Sequence, residues 1–299
     1  RERGYHGMNI GATTVGGMIN NVKTFASVLM PGVQHMRHTH LPEHKFVKGE
    51  PDTGVEMAED LERIAMNFGG ENIAACIIEP IAGSTGTLVP PKGYLKRIRD
   101  ICNKHGILLI FDEVITGWGR TGSAFAAQEW NVTPDIMTMA KATTNGVVPM
   151  GVVAVKEEIY DSVLDASSAP EGTPELFHGY TYSGIPVAVA AALAVQDIFD
   201  KEDLINRAKE MSPYFQDGLH SLKDLKEVVS IRGYGMMGGI EINMKEKPGK
   251  AGYQVFKHCY DAGVNFKNTG DNLIIAPQFI CEKKHIDEII EKLRTGISN

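Results

Sequence analysis

Short, continuous apolar runs punctuate the first two hundred residues. Ile73–Pro80 (IAACIIEP) closes on proline, Ile107–Glu113 (ILLIFDE) runs straight into two acids, and Pro134–Ala140 (PDIMTMA) and Gly151–Val155 (GVVAV) follow. Runs this short and this uniformly apolar predict buried strands. Between them the apolar spacing changes to three and four. Met57–Gly70 (MAEDLERIAMNFGG) stops at a glycine pair, and Pro91–Gly106 (PKGYLKRIRDICNKHG) opens on proline and closes on glycine. Both carry the boundary signals of helices. Buried strands alternating with helices predict an α/β domain whose parallel sheet is covered on both faces.

Beyond about residue 180 the texture changes. Ile185–Asp200 reads as a long alanine-rich helix, followed by a helix around Leu204–Leu222 and strands near Val228–Ile231 and Met236–Ile242. A helix near Tyr253–Ala262, a strand pair near Asn265–Ile275 and a last helix over Lys284–Leu293 complete a smaller α+β unit. The pattern divides the chain into a large domain over 1–200 and a small C-terminal domain over 201–299, with no internal repeat, low-complexity tract or long linker.

With 299 residues, 43% of them hydrophobic, the chain has enough apolar material for a large core. A net charge of -7 and a pI near 5.8 argue against a nucleic-acid partner. No apolar run approaches the roughly 20 residues that cross a membrane, and the opening RERGYHG is not a signal peptide. The cysteines Cys76, Cys102, Cys259 and Cys281 are scattered, without a C-x-x-C pair, and fit a reducing cytoplasm. The chain opens at Arg1, without an initiator methionine, in what reads as the middle of an ordered segment. The expectation is therefore a chain lacking its true N-terminus.

Chemistry concentrates at two strand ends. Asp112 and Glu113 end the second apolar run, and side-chain alternation sends them to opposite faces, so they serve different tasks. An acid there is read as a helix cap or ion pair, as the strand-end acid of a nucleotide hydrolase, or as the partner of a buried cation. The hydrolase reading needs a G-x-x-x-x-G-K-[ST] loop, and the chain has none. Lys141 ends another apolar run and is followed by the turn-forming residues Thr143–Gly146. A cleft lysine with lowered proton affinity is the residue type that forms Schiff bases. An acid and a lysine at two strand ends of one sheet point to pyridoxal 5'-phosphate. The amine takes the aldehyde carbon, and the carboxylate keeps the pyridine nitrogen protonated. His35, His38, His40 and His44 form no metal pattern, since no acid or cysteine completes them and Pro42 breaks any helical face. They read as a peptide near the substrate entrance. Gly83–Gly86 (GSTG) lacks a following lysine and reads as a turn after the first strand, near the active site.

Four stretches, EPIAGSTGTLVPPKGYL, LLIFDEVITGWGRTG, TPDIMTMAKATTNGVVPMG and HGYTYSGIPVAVAAALA, resemble class III (ω-) aminotransferases of pyridoxal-phosphate fold type I, in order and over nearly the whole chain. Within that class GYHGMNIGATTVGGMINN and LMPGVQHMRHTHLP resemble the β-alanine/ω-amino acid:pyruvate transaminases. The resemblance implies a three-layer fold type I large domain with a smaller C-terminal α+β domain. It implies an amine donor, a keto-acid acceptor, and a homodimer or higher assembly with shared sites.

Residue by residue, the resemblance makes Lys141 the Schiff-base and proton-moving lysine and Asp112 the partner of the pyridine nitrogen. Val114 packs on one face of the ring, Tyr5 stacks on the other with His6 nearby, and Glu79 supports the network. Thr181 donates to the cofactor phosphate of the neighbouring subunit. Taken singly, Tyr5 is an ordinary half-buried aromatic, Thr181 a turn residue and Glu79 a loop cap; their joint order assigns the roles. The resemblance places the main phosphate-binding turn and the first sheet strands upstream of Arg1. Lys267, in GVNFKNTGDNLIIAPQF, stands where the family has the arginine that forks onto a substrate carboxylate. A lysine there gives a point charge without bidentate geometry, or is a plain surface lysine. The remaining readings are another class III reaction, such as an aminomutase or decarboxylase, or a catalytically silent dimeric binding module.

Overall fold

The computed structural model describes residues 1–170, 176–243 and 247–298. After the short helices α1 (Ile10–Val15) and α2 (Ile19–Thr24) come α3 (Glu59–Phe68), β1 (Ala75–Ile78), α4 (Tyr94–His105), β2 (Leu108–Asp112), α5 (Ala126–Glu129), β3 (Ile136–Met139), β4 (Val152–Val155) and α6 (Glu157–Ala166). The long α7 (Pro186–Lys201) and α8 (Leu204–His220) lead to β5 (Val228–Tyr234), β6 (Met237–Ile242), α9 (Lys250–Asp261), β7 (Lys267–Thr269), β8 (Asn272–Ile275) and α10 (Lys283–Ser298).

The first sheet has the order β1-β2-β3-β4. β1 and β2 pair in parallel, as do β2 and β3, with Asp112 opposite Thr138. This puts the carboxyl ends of three strands on one edge. β4 departs from the all-parallel expectation and runs antiparallel to β3. Only a single 3₁₀ turn, and no α-helix, separates β3 from β4, and a parallel return needs a crossover of a dozen or more residues, usually helical. Nor are both faces covered throughout, for Val153 and Val155 on β4 are exposed.

The core beside this sheet is built by α4. Its apolar residues Leu95, Ile98, Ile101 and Cys102 recur at helical spacing and are buried together with Leu109 and Phe111 of β2 and Ile78 of β1. Asp135 ties this layer to the sheet. Its carboxylate accepts from Arg99 of α4 (2.6 Å) and the Leu109 amide (2.7 Å), and pairs with Lys156 (2.7 Å). Burial alone would raise its pKa, but the bonds from Lys156, Leu109 and Arg99 outweigh burial and hold it below the usual carboxylate range. Asp135→Ala leaves Arg99 short of its acid and is expected to cost about 3 kcal/mol in urea unfolding. Because the folded-state pKa is depressed, this contribution is complete above the unfolded aspartate range and fades as pH falls through the folded value. The gap between the two proteins should close in acid; a pH-independent gap would contradict the ion-pair account.

The second sheet is antiparallel, in the order β5-β6-β8-β7. Phe215 and Leu219 of α8, Val255 of α9 and Leu293 of α10 bury against Ile240 and Leu273. This sheet seats directly on the turns beyond the first. The Met236 amide donates to the Arg120 carbonyl at 2.8 Å, and Arg120 Nη1 donates to the carbonyls of Met236 and Pro277.

Candidate active site

Glu79 directly follows β1, Asp112 ends β2, and Lys141 lies two residues beyond β3. Parallel pairing brings these strand ends to one edge, where ligands of open α/β sheets bind. All three line one cavity of about 770 Å³, together with Tyr5, His6 and Val114. That volume lies within the range of small-molecule sites.

Asp112 is buried. Its Oδ1 accepts the Val114 amide at 3.1 Å, and its Oδ2 hydrogen-bonds His6 Nδ1 at 2.8 Å. His6 Nε2 is buried and has no hydrogen-bond partner among the described residues. Glu113 turns away, as alternation requires. It accepts from Thr116 Oγ1 (2.6 Å) and from the Ala126 and Ala127 amides (2.9 and 2.8 Å) at the start of α5. Glu113 is thus the helix cap, and Asp112 is free for the cavity. Burial raises the pKa of Glu113 despite these donors.

Glu79 is buried and joins two segments. Its Oε1 accepts the Tyr5 amide and its Oε2 the Gly83 amide, both at 2.9 Å. Gly83–Gly86 is indeed a turn, braced by this bond. Burial raises Glu79's pKa, with the Tyr5 and Gly83 amides opposing.

Lys141 has the left-handed φ of 49°, uncommon for a residue with a side chain and characteristic of functional turns. It opens a short 3₁₀ turn, Lys141–Thr143. Trp118 Nε1 steadies that turn through a 3.0 Å bond to Thr143 Oγ1. Lys141's surface is open to the cavity, yet surrounding protein removes enough water to lower its pKa. Asp112 and Glu79 oppose the shift, and Lys267 adds to it. Lys267, the first residue of β7, is exposed, and its Nζ lies 6.0 Å from the centre of the Tyr5 ring. Lys267→Met should therefore raise the pKa of Lys141. The check is the pH at which Lys141 becomes reactive to an amine-selective acylating reagent, followed by peptide mass spectrometry; a fall or no change would contradict the contact.

Thr181 is exposed in a turn and does not line its own chain's cavity, although its neighbours Tyr180 and Tyr182 do. None of His35, His38, His40 and His44 lines the cavity. His35 Nε2 bonds the Gly16 carbonyl, and His44 is buried and bonds the carbonyls of Thr39 and Thr53. Burial and the Arg232 guanidinium push His40 down to about 3. Reading the residues one at a time also missed Asn9, His178, Tyr180 and Tyr182 on the cavity wall, and Trp118 behind Lys141. The aromatic residues in HGYTYSG were the available signal.

The family description Aminotransferase class-III matches residues 1–297. The chain belongs to the class-III aminotransferases. It is 49% identical to an omega-aminotransferase of Caulobacter vibrioides over 98% of this chain and 66% of that one. It is 43% identical to an omega-amino acid--pyruvate aminotransferase of Pseudomonas putida, over 97% and 65%. The chain thus spans just under two thirds of the length of these curated class-III relatives. A crystal structure of the omega transaminase from Pseudomonas jessenii in complex with PMP superposes with a TM-score of 0.90 at 29% identity, covering 100% of this chain and 67% of that one. The α/β architecture described above is that of the fold type I transaminases.

Proposed function

We propose that the protein is a pyridoxal-phosphate-dependent aminotransferase that moves an amino group from an ω-amino acid, such as β-alanine, or a primary amine to pyruvate. The observation that carries this reading is the convergence of a buried acid, Asp112, and an amine of lowered pKa, Lys141, on one cavity at adjacent strand ends. Two Pseudomonas relatives, an omega-amino acid--pyruvate and a beta-alanine--pyruvate aminotransferase, support the substrate pair.

The residues present fit pyridoxal phosphate at its ring and aldehyde ends. Among the described residues Asp112's side-chain partner is His6 Nδ1 at 2.8 Å, and the remaining carboxylate lone pairs are able to take a ring N–H⁺. When bound, the cofactor supplies an aldehyde that captures amines and a ring that draws electrons from the bond being broken. Asp112, braced by His6 and the Val114 amide, holds the proton on the ring nitrogen. Val114 and Tyr5, both on the cavity wall, would pack against the ring, and Glu79 fixes Tyr5 through its backbone amide. Lys141 Nζ, which lines the cavity, would hold the cofactor's aldehyde carbon, and the same amine, when free, would be the base that moves a proton at the donor's amine-bearing carbon. Burial lowers its pKa below the ordinary lysine value, the direction that favours a free amine as base. Lys267 offers a positive charge to the carboxylate of the donor or of pyruvate.

Phe177, Tyr180, Tyr182, Val187 and Leu193, on either side of Thr181 in the chain, are exposed large hydrophobic residues, the type of side chain that subunits bury. We assign these residues to a homodimer in which Thr181 donates to the phosphate in the other copy's site. The four cysteines are free and buried, which suits the cytoplasm. Among the described residues no helix is long and apolar enough to cross a membrane.

The test is a donor screen with pyruvate. Alanine should accumulate in step with the oxo acid made from β-alanine. Consumption of donor without alanine would favour an aminomutase or decarboxylase and overturn the proposal.

A further inference from the structure

Arg232 lies on β5, far in sequence from every cavity residue, and only 4% of it is exposed. Its guanidinium is held on several sides. Nε donates to the Gly86 carbonyl at 2.9 Å, Nη1 donates to Ser230 Oγ and Glu241 Oε2, both at 2.9 Å, and Nη2 donates to Asn272 Oδ1. A planar fork with this many partners cannot shift without breaking several bonds at once.

Two of these acceptors link the two sheets. Gly86 closes the turn that Glu79 braces. Asn272 opens β8 and pairs with Thr269 of β7, the strand that begins at Lys267. The approach is too tight for side chains. A Cβ on Gly86 would lie 2.5 Å from Asn272 Oδ1, and one on Gly239 would lie 2.2 Å from the Gly86 carbonyl oxygen. On its other side the turn reaches the cavity, because Glu79 binds both Gly83 and Tyr5, and Lys267 lies over Tyr5. The contacts close a ring: Lys267, Tyr5, Glu79, the turn, Arg232, Asn272, and back along β8 and β7.

We infer that Arg232, acting through Asn272, is a positioning residue for the substrate carboxylate. It sets where Lys267 stands over Tyr5 and hence how far from Lys141 a carboxylate is held. A lysine is a point charge on a flexible stem, so its placement depends on the backbone that carries it. The clamp supplies the rigidity that the lysine lacks. The inference rests on the reading of Lys267 as the carboxylate-binding residue.

Asn272→Ala removes the hairpin's end of the clamp and leaves Arg232 its bonds to Gly86, Ser230 and Glu241. Kinetics are compared for β-alanine and for propylamine, which has the same length without the carboxylate. In parallel, ligand-observed NMR measures the dissociation constant of propionate, which cannot react. In Asn272→Ala, KM for β-alanine and the propionate dissociation constant should rise about 5- to 10-fold, the scale of one weakened charge contact. The propylamine KM and both kcat values should stay within about twofold, since no carboxylate is involved in one and the reacting atoms are untouched in either. Asn272→Asp keeps the acceptor oxygen and should restore propionate binding. Lys267→Met should weaken propionate binding, and adding Asn272→Ala to it should weaken it no further, because the two changes act on one contact.

Equal losses for both donors, additive losses in the double variant, or no rescue by Asn272→Asp would overturn the positioning role. If Lys267→Met weakens propionate binding and Asn272→Ala does not, the role of Arg232 alone falls. If Lys267→Met leaves propionate binding unchanged, the carboxylate reading of Lys267 fails and this inference fails with it.

Discussion

Lys141→Ala is expected to lower alanine formation from pyruvate by about 10⁴-fold or more, because it removes a nucleophile and a general base together. The size of the effect follows from where Lys141 stands. It is held at the end of β3 in a left-handed backbone conformation, with Trp118 fixing the turn behind it, and it shares its cavity with Asp112 and Glu79. Lys156, the nearest other lysine along the chain, is not among the cavity residues. A protein treated with pyridoxal phosphate and borohydride should carry the cofactor's mass on the peptide containing Lys141, and the alanine variant should carry none. The lesion is chemical and not structural, since truncating a cavity-facing lysine leaves no core void. Thermal stability of the apoprotein should change little.

Asp112→Asn should retain cofactor while losing turnover by about 10²- to 10³-fold, the scale of removing one preorganised electrostatic contact from a buried site. Asparagine matches the volume of aspartate and still accepts the Val114 amide at Oδ1, so the strand end and the cavity wall survive. It carries no charge, so it cannot hold a proton on a facing ring nitrogen, and the ring loses its pull on electrons. His6 would keep a neutral partner at Nδ1, which separates loss of charge from loss of packing. Cofactor binding is followed by absorbance on titration, and turnover by alanine formation. If turnover survives in Asp112→Asn, the pairing of Asp112 with a ring cation is wrong.

Much of this site is legible along the chain because a strand end is a local event. The apolar run that stops at Asp112, and the one that stops just before Lys141, by themselves place two side chains at the carboxyl edge. The difference between Asp112 and Glu113 is legible too, through the alternation of a strand. Strand direction is not. β4 has the composition of its parallel neighbours, and only the connection from β3, which contains no crossover helix, turns it around. The nearness of Lys267 to Tyr5 is a meeting of residues at opposite ends of the chain. It is made by the seating of the second sheet on the turn Gly83–Gly86, through Arg232 and the close approach of Gly239. Neither periodicity nor local motif encodes that contact. The partners of the histidine segment are equally illegible: His35 bonds the Gly16 carbonyl, His38 accepts from the His40 amide, His40 meets Arg232, and His44 bonds the carbonyls of Thr39 and Thr53.

A crystal structure of the protein soaked with pyridoxal 5'-phosphate is the most direct measurement. It should show continuous density from Lys141 Nζ to the cofactor's aldehyde carbon, with the ring nitrogen hydrogen-bonded to the Asp112 carboxylate. A cofactor bound elsewhere, or bound in this cavity with its ring nitrogen turned away from Asp112, would contradict the account.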